Sequence, residues 1–90
     1  MRFHFELSDD AHKQLAKLPR DVQERIGRAI DDLEAKDDSQ WSNVKALQGP
    51  EWKGRLRRKA GPHRIIFMKH PGRGVAGISA IVIRSKRTYK

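Results

Sequence analysis

"GRLRRKAGPHRIIFMK", residues 54–69, changes character halfway along its length. Its first part carries Arg55, Arg57, Arg58 and Lys59, with Leu56 as the one large apolar residue. Side chains alternate between the two faces of an extended chain. Trp52, Gly54 and Leu56 therefore share one face, and Lys53, Arg55, Arg57 and Lys59 share the other. Gly61-Pro62 supplies turn chemistry, glycine by its conformational freedom and proline by its fixed φ. His63 and Arg64 then open "HRIIFMK", a strongly apolar run of strand length. The stretch reads as strand, turn, strand, which makes the second half of the chain a sheet.

Working outward, "HPGRG" (70–74) is a second turn and "VAGISAIVIR" (75–84) a third strand, completing an antiparallel meander. "KDDSQWSNVKALQGP" (36–50) is a polar connector, tucked against the core by Trp41, Val44 and Leu47. Upstream lie two helical patterns. Ala11, Leu15 and Leu18 form one narrow stripe that ends at Pro19, and Val22, Ile26, Ala29, Ile30 and Leu33 form another. Ser8 precedes the first as an N-cap, with Asp9 and Asp10 in the positive first turn. "RFHFEL" (2–7) alternates Phe3, Phe5 and Leu7 against Arg2, His4 and Glu6, as a half-buried strand does. The expectation is one α+β domain over residues 1–90. It has an N-terminal strand and a helical hairpin packed on an antiparallel sheet of about four strands.

Charge is segregated along the chain. Residues 1–50 carry 8 Lys/Arg and 10 Asp/Glu, whereas residues 51–90 carry 12 Lys/Arg and Glu51 alone as an acid. A solubility device would not confine cations to one half, so a polyanionic partner is expected, nucleic acid being the usual one. A membrane surface fits poorly, because the basic half reads as strands rather than as an amphipathic helix. No apolar run approaches the ~18–20 residues of a membrane span, and the first ten residues lack a signal-peptide core. With no cysteine in the chain, thiolate metal sites and disulfides are excluded. The expected location is the cytoplasm.

The candidate chemistry lies in the basic half. Arg55 and Arg57 can each grip phosphate oxygens bidentately, which a lysine cannot do. Arg64 on the neighbouring strand is placed to join them, and Lys53, Arg58 and Lys59 add attraction. His63 adjoins the row and could transfer a proton or stack on a base. The other histidines, His4, His12 and His70, read as surface residues. None of the four has a metal-binding spacing, so no metal and no cofactor is expected. Tyr89 follows Arg84, Lys86 and Arg87, an aromatic beside cations of the kind RNA-binding sites use.

The chain resembles the RelE/ParE-type toxin superfamily of toxin–antitoxin systems. The resemblance is carried by "LPRDVQERI", "ALQG", the strand–turn–strand "GRLRRKAGPHRIIF" and the terminal "IRSKRTY". It implies a helical hairpin against an antiparallel sheet and a ribosome-dependent endoribonuclease that cuts mRNA without metal. In that chemistry the ribose 2′-hydroxyl attacks the adjacent phosphate, leaving a cyclic phosphate and a 5′-hydroxyl. The implied catalytic positions are Arg55, Arg57, Arg64, one of Arg84 and Arg87, and Tyr89, with Lys86 among the RNA contacts. The implied partners are a cognate antitoxin, the ribosome and mRNA. In the best-known ribonuclease branch the first two positions are lysines; here they are arginines, which stay protonated and make poor bases. Their role is then electrostatic, leaving Tyr89, His63, Lys53 or the ribosome to take the proton. Two other functions fit parts of the pattern: a ParE-like DNA gyrase inhibitor, and a noncatalytic nucleic-acid-binding module.

Overall fold

The computed structural model describes residues 1–83, and Arg84, Lys86, Arg87 and Tyr89 lie outside the described residues. Strand β1 (His4–Leu7) ends at Ser8, whose hydroxyl accepts the Ala11 N–H and caps α1 (Asp9–Ala16). This leaves Asp9 and Asp10 in the first turn, where the helix dipole favours acids. Pro19 occupies the N-cap position of α2 (Arg20–Ala35), which buries Ile26, Ala29 and Leu33. The meander that follows is β2 (Val44–Ala46), β3 (Arg55–Ala60), β4 (His63–His70) and β5 (Val75–Ile83).

These strands form one sheet in the order β1-β5-β4-β3-β2. β2 to β5 pair antiparallel, and β1 pairs parallel with β5. The α+β class and the helical hairpin on the sheet are as expected. The sheet itself is wider and mixed, with five strands in place of about four antiparallel ones. The helical hairpin carries the chain from β1 to the far edge of the sheet, and the meander walks back until β5 lies beside β1. The extra strand, β2, falls in the polar connector, where three residues are too few to show a period.

One layer of core lies between the helices and the sheet. Phe5, Ala11, Ile26, Leu33, Ile65, Phe67 and Ile78 are at its centre. Trp41 seals one end. Its ring packs at 5.7–5.8 Å from those of Phe3, Phe5 and Phe67, and its indole N–H donates to the Leu33 carbonyl at 2.9 Å. Lys69 closes the same end, with Nζ 5.7 Å from both the Phe3 and Trp41 rings and 3.1 Å from Asp38.

Alternation does not begin at Glu51 as the sequence suggests. Residues Pro50–Trp52 form a short 3-10 turn and Gly54 has φ of +79°, so the strand starts at Arg55. Lys53 therefore precedes β3 rather than standing in its row.

Candidate nucleic-acid interface on the far face of the sheet

Register and alternation sort the basic residues between two faces. Leu56 and Ala60 of β3 face the helices, opposite Phe67 and His63. Arg55, Arg57 and Lys59 consequently face away from α1 and α2, opposite Met68, Ile66 and Arg64. Lys45 of β2 pairs with Arg57 while its neighbour Val44 packs on the core, so Lys45 belongs to the same far face. Five cations from three adjacent strands are thus brought together: Lys45, Arg55, Arg57, Lys59 and Arg64. Among the described residues no carboxylate forms an ion pair with any of them.

Each guanidinium is held differently. Arg64 is 4% exposed; its Nη1 donates to the carbonyls of Gly61 at 2.8 Å and His63 at 2.9 Å, and its Nε is buried without a hydrogen-bond partner among the described residues. Burying a cation with part of its donor set unmet is costly unless an anion completes it. Among the described residues Arg57 makes one long contact, to the Asn43 carbonyl at 3.4 Å. Arg55 reaches the Ser79 hydroxyl at 3.3 Å, and that hydroxyl donates to the Ile66 carbonyl at 3.4 Å. Ser79 stands there because the β4–β5 register shifts between Ile66 and Phe67, which inserts one residue into β5. Bulges commonly re-aim a side chain in this way.

Beside Arg55 the far face dips into a groove of about 320 Å³. Glu6 of β1, Met68 and His70 of β4, and Gly77 and Ser79 of β5 line it with Arg55. Gly77 leaves the floor flat: a side chain there would begin 3.6 Å from the His70 Nε2. The groove thus combines a guanidinium, a carboxylate, an imidazole and an apolar thioether wall.

Two sequence candidates lie elsewhere. His63 is buried on the helix side, two residues before Ile65 and opposite Ala60, so it does not share a face with Arg64. Arg58 also points to the helices, where it lies 3.6 Å from Asp32 of α2. Lys45, Ser79, Glu6 and His70 are the residues that sequence reasoning did not place at this site. Alternation along "NVKAL" would have found Lys45 once Val44 was taken as a core residue. Nothing in the sequence marks the bulge that delivers Ser79. Among the described residues no three His, Asp or Glu side chains cluster as a metal site, and no helix is long and apolar enough to cross a membrane.

No protein-family model matches the sequence, and no curated protein sequence matches it. Solved structures do match the fold. The toxin–antitoxin complex RelBE2 from Mycobacterium tuberculosis superposes with a TM-score of 0.77 at 16% identity, covering 93% of this chain and 100% of that one. The archaeal RelE–RelB complex from Pyrococcus horikoshii gives 0.74 at 22% identity, covering 96% and 99%. A YoeB/ParE toxin from Agrobacterium tumefaciens gives 0.73 at 11% identity, covering 94% and 100%. At these identities the likeness is one of fold: the chain has the architecture of the RelE/ParE-type toxins.

Proposed function

We propose that this chain is the toxin of a type II toxin–antitoxin pair and that it acts as a ribosome-dependent endoribonuclease on mRNA. The observation that carries the reading is the far-face row of Arg55, Arg57 and Arg64, three guanidiniums with no carboxylate paired to them among the described residues. The toxin fold and the antitoxin complexes among its structural neighbours support the broader role.

The row suits in-line attack of a ribose 2′-oxygen on the neighbouring phosphate. That step forms a 2′,3′-cyclic phosphate, breaks the bond to the 5′-oxygen, and gathers negative charge on the phosphorus oxygens. Arginines fixed on a sheet stabilise that charge without reorganising. Arg64, buried and already bonded to two carbonyls, is the most rigid of the three. The 2′-hydroxyl proton needs an acceptor that arginine cannot provide. Tyr89 keeps that role in this proposal. His70, which shares the groove with Arg55, takes the reserve place first given to His63. A cognate antitoxin would mask the basic face.

The ParE-like reading, inhibition of DNA gyrase, is favoured by one observation, the YoeB/ParE toxin among the structural neighbours. Brief induction in bacteria separates the two. The ribonuclease reading predicts a rapid halt of translation with new mRNA 5′ ends. An induced DNA-damage response with intact mRNA would instead indicate gyrase poisoning.

A further inference from the structure

A second concentration of positive charge lies around the edge of the sheet from the first. A cleft of about 510 Å³ separates α2 from the β3–β4 turn, lined by Arg25, Arg28, Arg58 and Lys59 together with Asn43 and Gly61. None of the acids of α2 lines it. Among the described residues Asp32 is the acid that pairs with a lining cation, 3.6 Å from Arg58, and it is shared with Lys36 at 3.0 Å. Among the described residues Arg25, Arg28 and Lys59 make no ion pair, and the Arg58 Nε is buried without a hydrogen-bond partner. The turn is shaped to admit Arg25: a Cβ on Gly61 would lie 2.9 Å from its Nη1.

Two residues join this cleft to the far face. Lys59 stands opposite Arg64 in the sheet and also lines the cleft. Asn43 lines the cleft while its carbonyl accepts the Arg57 guanidinium. The cations therefore form one track, from Arg64 and Arg57 past Lys59 to Arg28 and Arg25.

We propose that the α2–turn cleft is a second phosphate site, which holds the backbone of an RNA strand whose neighbouring nucleotides occupy the far face. This deepens the RNA-cleaving reading and rests on it. A continuous track suits a polymer of phosphates better than one small anion. Three of the four cations are arginines, whose planar forks match phosphate oxygens. Among the described residues the apolar part of the lining is Ala29 and Ala60, which offers little anchorage to the side chains of a docking peptide.

The test compares the intact chain with its Arg25→Ala/Arg28→Ala variant. Both side chains are exposed on a helix that tolerates alanine. The probes are fluorescent 2′-O-methyl RNAs, which cannot be cleaved, of about 4 and about 12 nucleotides, titrated by anisotropy at several salt concentrations. Two lost phosphate contacts should lower the salt slope for the longer RNA by about 1.4 and weaken its binding roughly tenfold at low salt, leaving the shorter RNA unchanged. Equal slopes for variant and parent would overturn the proposal. So would polyglutamate binding that is lost in the variant while the RNA slopes stay equal, since an acidic peptide would then be the occupant. Cleavage in a translating extract is scored in parallel. Intact cleavage with unchanged slopes rejects the cleft alone, whereas a slope loss without cleavage by the parent rejects the nuclease reading alone.

Discussion

Arg64 and Arg57 are both cations on the far face, yet the structure prepares them for different work. Arg64 is anchored by the Gly61 and His63 carbonyls. Arg57 has, among the described residues, a contact long enough to yield to a better acceptor. Arg64→Lys keeps the charge and loses the fork, so it should recover only part of what Arg64→Ala removes. Single-turnover cleavage rates, with circular dichroism to check folding, would show this. Lys45 faces Arg57 across the β2–β3 pair, and Lys45→Ala should weaken RNA binding evenly across sequences and lower the salt slope by about 0.7. The shared face of Arg55 and Arg57, with Arg64 on the neighbouring strand, was legible in the sequence because alternation places strand residues by counting. His63 was misplaced by proximity: it is next to Arg64 in the chain, and for that reason on the opposite face. Arg58 illustrates the same parity, adjacent to Arg57 and turned to Asp32 instead.

At the scale of elements, β1 and the bulge in β5 determine how the sheet ends and where Ser79 stands. β1 is an edge strand, and its outer Phe5 N–H is satisfied by the Glu34 carboxylate at 2.8 Å, which also lies 3.2 Å from His4. Glu34→Ala would leave that part-buried donor without its partner, a loss of about 1–2 kcal/mol. Urea unfolding should register it, and hydrogen exchange should show faster exchange at Phe5. Both helices and the β3–β4 hairpin were legible, since their periods run over enough residues to be unambiguous. The β1–β5 pairing was not, because periodicity identifies a strand without naming its neighbour or direction. β2 was hidden for a simpler reason: a strand of three residues inside a polar connector carries no period.

For the whole molecule, the charge asymmetry read from the sequence becomes a spatial one. Among the described residues, Arg55, Arg57, Lys59 and Arg64 of the second half share the far face, while Asp32, Glu34, Asp37 and Asp38 of the first half serve structural contacts. Asp32 is held below the usual carboxylate range chiefly by Lys36, Asp37 by the N-terminal amine, and Asp38 chiefly by Lys69. A carboxylate depressed in the folded state adds stability above its unfolded pKa and loses it as pH falls through the folded value. These three groups should leave the urea midpoint flat from pH 7 to pH 5 and lower it below about pH 4. Asp38→Asn should shallow that acid limb. The central claim, that the far-face arginines carry RNA cleavage, is tested most directly by mapping mRNA 5′ ends in a translating extract. The parent chain should generate new ends. Arg57→Ala and Arg64→Ala, each folded by circular dichroism, should lower the rate of their appearance by about 10²–10³. Cleavage at the parental rate by both variants would contradict the account.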